Sequence, residues 1–245
     1  MKYELIATAT FGLEAVVKME LQDLGYSVVK VEDGKVTFIG DERAIVHTNI
    51  WLRTADRVYI KVADFKAETF EELFQQVRAI GWEDYLTVDA AFPVVGTSVK
   101  STLHSVPSCQ SIIKKAIVSR LSDFYVQNHF DEAGANYRIR FSILKNHVTL
   151  LLDTSGAGLH KRGYRAVDVA APMKETLAAA LVRLSFWKEG VMRRDKDNPD
   201  HVARILVDPC CGSGTILIEA AMMARNIAPG LNRKFAAMAW DFIPE

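Results

Sequence analysis

Cysteine is scarce in this sequence: Cys109, Cys210 and Cys211 are the three among 245 residues. An odd number without paired Cys-x-x-Cys units excludes a disulfide framework and offers no zinc-site spacing. Long apolar runs are lacking as well. No stretch approaches the roughly 20 residues that span a bilayer, and Met1-Lys2-Tyr3-Glu4 does not lead into a signal-like segment. The expected compartment is therefore the cytoplasm, with reduced thiols. Internal repeats and low-complexity tracts are also missing. With 49% hydrophobic and 24% charged residues, the composition is that of an ordinary folded chain.

Net charge is absent in sum but not in distribution. Lys+Arg and Asp+Glu both number 30, yet residues 1–90 hold ten basic against sixteen acidic residues, whereas Lys100–Arg165 holds ten against four. A basic middle suits a polyanionic partner, because neutralising phosphates releases counterions and supplies affinity.

Apolar periodicity divides the chain. Leu5–Ala9 reads as a buried strand. Leu13, Val16, Val17, Leu21 and Leu24 recur at helical spacing up to Gly25, a natural stop. Tyr26–Glu32 and Lys35–Ile39 are β-rich and flank Asp33-Gly34, which predicts a type I′ hairpin turn. Asp41 can cap a second helix, and Arg57–Val62 reads as a strand. The order β-α-β-β-α-β predicts a ferredoxin-like unit over about 1–65.

A second unit spans about 66–165. Thr69-Phe70-Glu71-Glu72 matches a capping box. A strand over Phe92–Lys100 precedes a helix with the apolar stripe Cys109, Ile112, Ile113, Ala116, Ile117 and Leu121, which leaves Lys114, Lys115 and Arg120 on its outer side. Tyr137, Ile139, Phe141 and Ile143 alternate with Arg138, Arg140 and Ser142 ahead of a turn at Lys145-Asn146-His147 and a return strand over Val148–Leu152. The hairpin should thus have one basic face. The segment Leu159–Arg165, with Lys161 and Arg162, reads as a connector. Residues 1–165 are expected to hold complete domains that unfold cooperatively with or without the tail.

In the third part, about 166–245, Pro172 suits a first helical turn, and Leu177, Ala180, Leu181 and Leu184 give that helix an apolar side. Ile205-Leu206-Val207 reads as a buried parallel strand ending at Asp208. Then comes Asp208-Pro209-Cys210-Cys211-Gly212-Ser213-Gly214-Thr215 and a helix through Ile216, Leu217, Ala220 and Ala221. Glycines at 212 and 214 let the backbone approach a ligand, and free amides at a helix start favour a carboxylate or other anion. Position 217 is leucine where a dinucleotide loop has its third glycine, and no Gly-Lys-Ser/Thr follows, so pyrophosphate is disfavoured. Cys210 and Cys211 lack a nearby His base and do not read as nucleophiles, and Glu219 reads as a helix-surface residue.

Asp208–Thr215 resembles motif I of S-adenosylmethionine-dependent methyltransferases that act on exocyclic amines. Together with Leu159–Arg165 and Ala171–Ala180, in this order, it resembles the bacterial THUMP guanine methyltransferases of large-subunit ribosomal RNA. The resemblance implies an α+β chain: a ferredoxin-like domain, a THUMP RNA-binding domain, and the incomplete start of a Rossmann-like α/β methyltransferase domain. It implies S-adenosylmethionine held by Asp208, Pro209, Cys210, Gly212, Ser213, Gly214 and Thr215, with Pro172 against the methionine end. It implies RNA, ribosomal by expectation, held by Lys114, Lys115, Arg138, Arg140, Lys161, Arg162 and Arg165. The Asn-Pro-Pro-Tyr that holds the target amine in such enzymes does not occur in these 245 residues, so no catalytic residue is assigned. The acid that holds the ribose hydroxyls is expected beyond the printed end, with Asp241 the alternative. Two rival readings stay open, an RNA-binding module without catalysis and a DNA adenine-N6 methyltransferase. The sequence does not set the oligomeric state.

Overall fold

In the computed structural model, which describes residues 1–127, 129–164, 172–187 and 205–243, the first unit is β1 (Tyr3–Thr8), α1 (Glu14–Asp23), β2 (Val28–Glu32), β3 (Lys35–Gly40), α2 (Glu42–Trp51) and β4 (Arg57–Lys66). The strands lie in the order β2-β3-β1-β4 with every neighbour antiparallel, the split arrangement that a ferredoxin-like order implies. Asp41 caps α2 by accepting from the Ala44 amide at 2.9 Å. The β2–β3 turn departs from type I′. That geometry needs positive φ at both central residues, but only Gly34, at φ +73, has it. The turn is held from outside instead, because Glu14 on α1 accepts from the Gly34 amide at 2.8 Å.

The second unit continues the same sheet. α3 (Phe70–Arg78), β5 (Val94–Val99), α4 (Val106–Tyr125), β6 (Ile139–Leu144) and β7 (His147–Asp153) follow, and the whole sheet runs β2-β3-β1-β4-β7-β6-β5. β4 is the seam: Arg57–Ile60 pairs with β1, while Tyr59–Lys66 pairs antiparallel with β7 around a bulge between Lys61 and Ala63. β5 and β6 are parallel, as the α4 crossover between them requires. Here the tight β6–β7 turn does carry two left-handed residues, Lys145 and Asn146. At α3 the capping box is displaced: Thr69 accepts from the Glu72 amide, but the Glu72 carboxylate reaches back to the amide of Glu68 rather than of Thr69.

One core serves both units. Leu5, Phe38, Ile60, Phe141 and Leu150 from the strands meet Val17 and Leu21 of α1, Ile45 of α2, Leu73 and Val77 of α3, and Ile113 and Ile117 of α4. Burying each large aliphatic side chain contributes about 1.5–3 kcal/mol, so α1–α4 are pinned to one face of the sheet. The other face carries a small separate cluster of Ile6, Tyr59 and Leu151.

The third part forms a two-helix lobe. α5 (Glu175–Leu184) and α6 (Thr215–Ala224) pack through Ala179, Val182, Ala220 and Met223. Ile205–Val207 is not a strand. Ile205 and Val207 are 83% and 73% exposed, because no described strand pairs with them and an unpaired backbone turns to water. After α6 the chain returns to the body as a strap, residues 228–243. The Gly230 amide donates to the Ile50 carbonyl, and Phe235, Ala237 and Trp240 enter the main core. Trp240 stacks on Tyr137 at 5.0 Å between ring centroids and donates from Nε1 to the Asn136 carbonyl. The core of residues 1–165 is therefore completed by the tail, which the sequence reading did not foresee.

Candidate cofactor loop and nucleic-acid surface

The loop Asp208–Thr215 is shaped by hydrogen bonds within it. Asp208 Oδ1 accepts from the Cys210 amide at 3.1 Å, and the Gly214 amide donates to the Cys211 carbonyl at 2.7 Å. Gly212 and Gly214 lie at φ +52 and +71, where a branched residue is strained, and a Cβ at either would meet nothing within 4 Å. The loop thus faces open space. Gly214 caps α6, whose first turn presents backbone N–H groups without intrahelical partners. The Ser213 and Thr215 hydroxyls are 3.0 Å apart. This open, donor-rich helix start fits the amino-acid carboxylate of S-adenosylmethionine. Pro172 does not begin a helix: it precedes Lys174, the cap of α5, and is exposed. Cys210 and Cys211 are exposed free thiols. Asp241 follows Trp240 on the strap.

The expected RNA contacts fall into three places. Arg138 and Arg140 are exposed, and Arg140 on β6 lies opposite Val95 and Leu151, on the sheet face away from the helices. Arg57 belongs to the same patch, paired with Asp153 at 2.7 Å; burial raises the Asp153 carboxyl while Arg57 and Arg138 pull it down. Sequence periodicity gave no sign of Arg57, since its position depends on β4 pairing with β7. Lys114 and Lys115 sit on the helix layer instead. Lys114 pairs with Glu132 at 2.5 Å and lies over Phe92, and Lys115 lies over Phe74; both border a groove of about 500 Å³. Lys161 is exposed. Arg165 lies outside the described residues.

Arg162 contradicts its expected role. It is 4% exposed, and its side chain is spent on protein partners: Glu219 at 3.3 Å and the carbonyls of Leu159 and Arg53. A guanidinium so enclosed cannot reach phosphate. Glu219 is likewise no surface residue but fully buried. The signal was available in outline, since position 219 falls on the same side of α6 as the buried Thr215 and Met223 at helical spacing.

Among the described residues, no cluster of His, Cys, Asp or Glu could hold a metal ion, and no helix is long and apolar enough to cross a membrane.

Comparison with known proteins agrees with this layout. Residues 4–59 match the RlmL ferredoxin-like domain, 67–153 the THUMP domain, and 162–242 the RMKL-like methyltransferase domain. YpsC of Bacillus subtilis (strain 168), named among RNA methyltransferases, is 52% identical over 244 residues, which is 99% of this chain and 60% of YpsC. A crystal structure from Listeria monocytogenes str. 4b F2365, described as that of a predicted N6-adenine-specific DNA methylase, is 55% identical with a TM-score of 0.90 and covers 100% of this chain, which spans 61% of it. SMU.472, described as a methyltransferase and solved with SAH, is 46% identical with a TM-score of 0.89, again over 100% of this chain and 61% of its own. The chain thus spans about three fifths of the length of these relatives.

Proposed function

We propose that this chain, a member of the RlmL- and RMKL-like family of THUMP methyltransferases, is the RNA-gripping and cofactor-opening part of an S-adenosylmethionine-dependent RNA methyltransferase. The observation that carries this reading is the open Gly212–Gly214 loop at the start of α6, attached to a body with an exposed Arg138–Arg140 face. When bound, S-adenosylmethionine supplies an activated methyl group. The chain's own part is to hold the donor's amino-acid end with Asp208–Thr215 and to orient RNA on the body. Pro172 borders the methionine end.

The target in this reading is the exocyclic amine of a guanine in large-subunit ribosomal RNA. Transfer of this kind relies on positioning and on acceptors for the amine hydrogens, and Asn-Pro-Pro-Tyr, which would provide them, is not among these residues. The Listeria relative's description favours a DNA amine instead. The THUMP match and the name of YpsC favour RNA. The deciding experiment offers the intact protein labelled S-adenosylmethionine with ribosomal RNA, transfer RNA or duplex DNA. Label in ribosomal RNA, recovered as methylguanosine, is the expected result; label confined to DNA rejects the reading. Gly212→Val should abolish cofactor binding in calorimetry, since a branched side chain would occupy the open space that the backbone leaves for the ligand, while RNA affinity holds. Unchanged cofactor affinity would remove the loop from the site.

A further inference from the structure

Four charged side chains from four parts of the chain are buried together where the lobe meets the body: Glu20 of α1, Arg53 after α2, Arg162 of the connector and Glu219 of α6. Glu20 is consumed by the amides of Arg53 and Thr54 and by the Thr54 hydroxyl. Arg162 spans the junction, donating from Nε to Glu219 Oε1 at 3.3 Å and from its other nitrogens to the carbonyls of Leu159 and Arg53. The Tyr164 hydroxyl donates to the same Glu219 oxygen at 3.1 Å, and Oε2 has no hydrogen-bond partner among the described residues. Arg53 Nη2 donates to the Ile227 carbonyl at 2.6 Å, just beyond α6. The helix is thus gripped at its middle by Arg162 and just past its end by Arg53.

Stability alone does not account for this cluster. A buried ion pair loses about as much in desolvation as it gains, and apolar side chains of equal size often hold a junction better. Charged partners add direction. The apolar contacts of α6 with α5 lie inside the lobe and leave its angle to the body undetermined. The surface pair Arg183–Asp23 involves an aspartate that is 64% exposed, and such pairs contribute little. Glu219 lies one turn beyond Thr215 on the same helix, so a tilt of the helix at its carboxylate carries the cofactor loop with it.

We propose that Arg162 and Glu219 form a positioning pair, which fixes the cofactor loop relative to the RNA-binding body so that methyl donor and bound RNA meet in one geometry. This rests on the methyltransferase reading above. The two residues touch neither ligand; they act through the start of α6.

The test uses the intact protein with Arg162→Met/Glu219→Met, which removes both charges and avoids stranding one, and with Arg162→Lys. The double variant should melt somewhat below the wild type, since the carbonyls of Leu159 and Arg53 and the Tyr164 hydroxyl lose partners, but stay folded and bind RNA and S-adenosylmethionine separately with affinities within about twofold of it, because no ligand contact is lost. Single-turnover methyl transfer with both ligands saturating should fall at least about tenfold, the scale of a misplacement of an ångström or less. Amide exchange over 208–215 should quicken while β4 and β7 keep their protection. Arg162→Lys, which keeps the charge but loses the fork, should fall between. Transfer at the wild-type rate in the stable double variant would overturn the proposal. If the wild type methylates no nucleic acid, the methyltransferase reading fails, and exchange decides the positioning role by itself: unchanged protection of 208–215 in the double variant would reject it.

Discussion

The body and the lobe are held together in different ways. The body has a seven-stranded sheet under four helices with one continuous apolar core, whereas α5 and α6 share a core of four residues, Ala179, Val182, Ala220 and Met223. The lobe depends on polar ties to the body: Arg162 to Glu219, Arg53 to Ile227, and Thr176 to Asp56. Dispersion and burial tolerate small shifts, while hydrogen bonds between buried charges demand a geometry. The difference places stiffness where RNA would be gripped and directional control where the cofactor would be presented. Sites of binding are commonly drawn from the least densely packed part of a fold, and the open loop at Gly212, the proposed cofactor site, would follow that pattern.

The strap is the strongest way to break this comparison. Trp240 follows the lobe in sequence but belongs to the body in space, 2% exposed and stacked on Tyr137. Trp240→Ala should destabilise the body by about 3–5 kcal/mol, read as the shift of the urea midpoint by circular dichroism. Val207→Ala, at a position 73% exposed, should stay within about 0.5 kcal/mol in the same chain. Equal effects of the two would mean that the strap is not part of the core.

A smaller effect sharpens the other side of the comparison, the body as a gripping surface. Arg138 and Arg140 are exposed on the helix-free face. Reversing both to glutamate should weaken RNA binding by roughly tenfold or more near physiological salt and lower the slope of log K against log salt by about 2. Binding that loses affinity without any change of slope would assign these arginines to something other than phosphates.

Local signals in the sequence reached as far as single elements. The stripe Cys109, Ile113, Ala116, Ile117 and Leu121 marked the inner side of α4, and the alternation from Tyr137 to Ile143 marked the inner face leading into and along β6, because both periods are set within one element. The loop at Gly212–Gly214 was legible for a similar reason, its glycines having no side chain for a left-handed turn to strain. What the sequence left hidden depends on contacts between distant segments. β4 pairing with β7 joins two units read as separate, Arg162 is buried by a helix nearly sixty residues on, and Trp240 completes a core begun at Tyr3. Nothing in the spacing of Lys161-Arg162 distinguishes an exposed base from an enclosed one.

A small polar tie in the body, the clamp on the β2–β3 turn, sharpens the contrast with the lobe through its pH dependence. Glu14 accepts from the Gly34 amide at 2.8 Å and from the Gly12 amide at 2.9 Å. The bond from Gly34, first among the causes, holds its carboxyl below the usual range, whereas burial pushes that of Glu219 up. For a group with a depressed folded pKa, the unfolded chain binds more protons in acid, so the stabilisation is full above the unfolded value, about 4.3 for Glu, and is lost as pH falls through the folded one. Glu14 is only half-buried, so solvent screening keeps the clamp small, about 0.5 kcal/mol. Glu14→Gln should therefore lower stability slightly at pH 7, measured by urea unfolding, and the gap to the wild type should close as the pH drops below about 4. A gap that persisted undiminished in acid would show that the substitution acts on the turn through something other than the charge of the carboxylate.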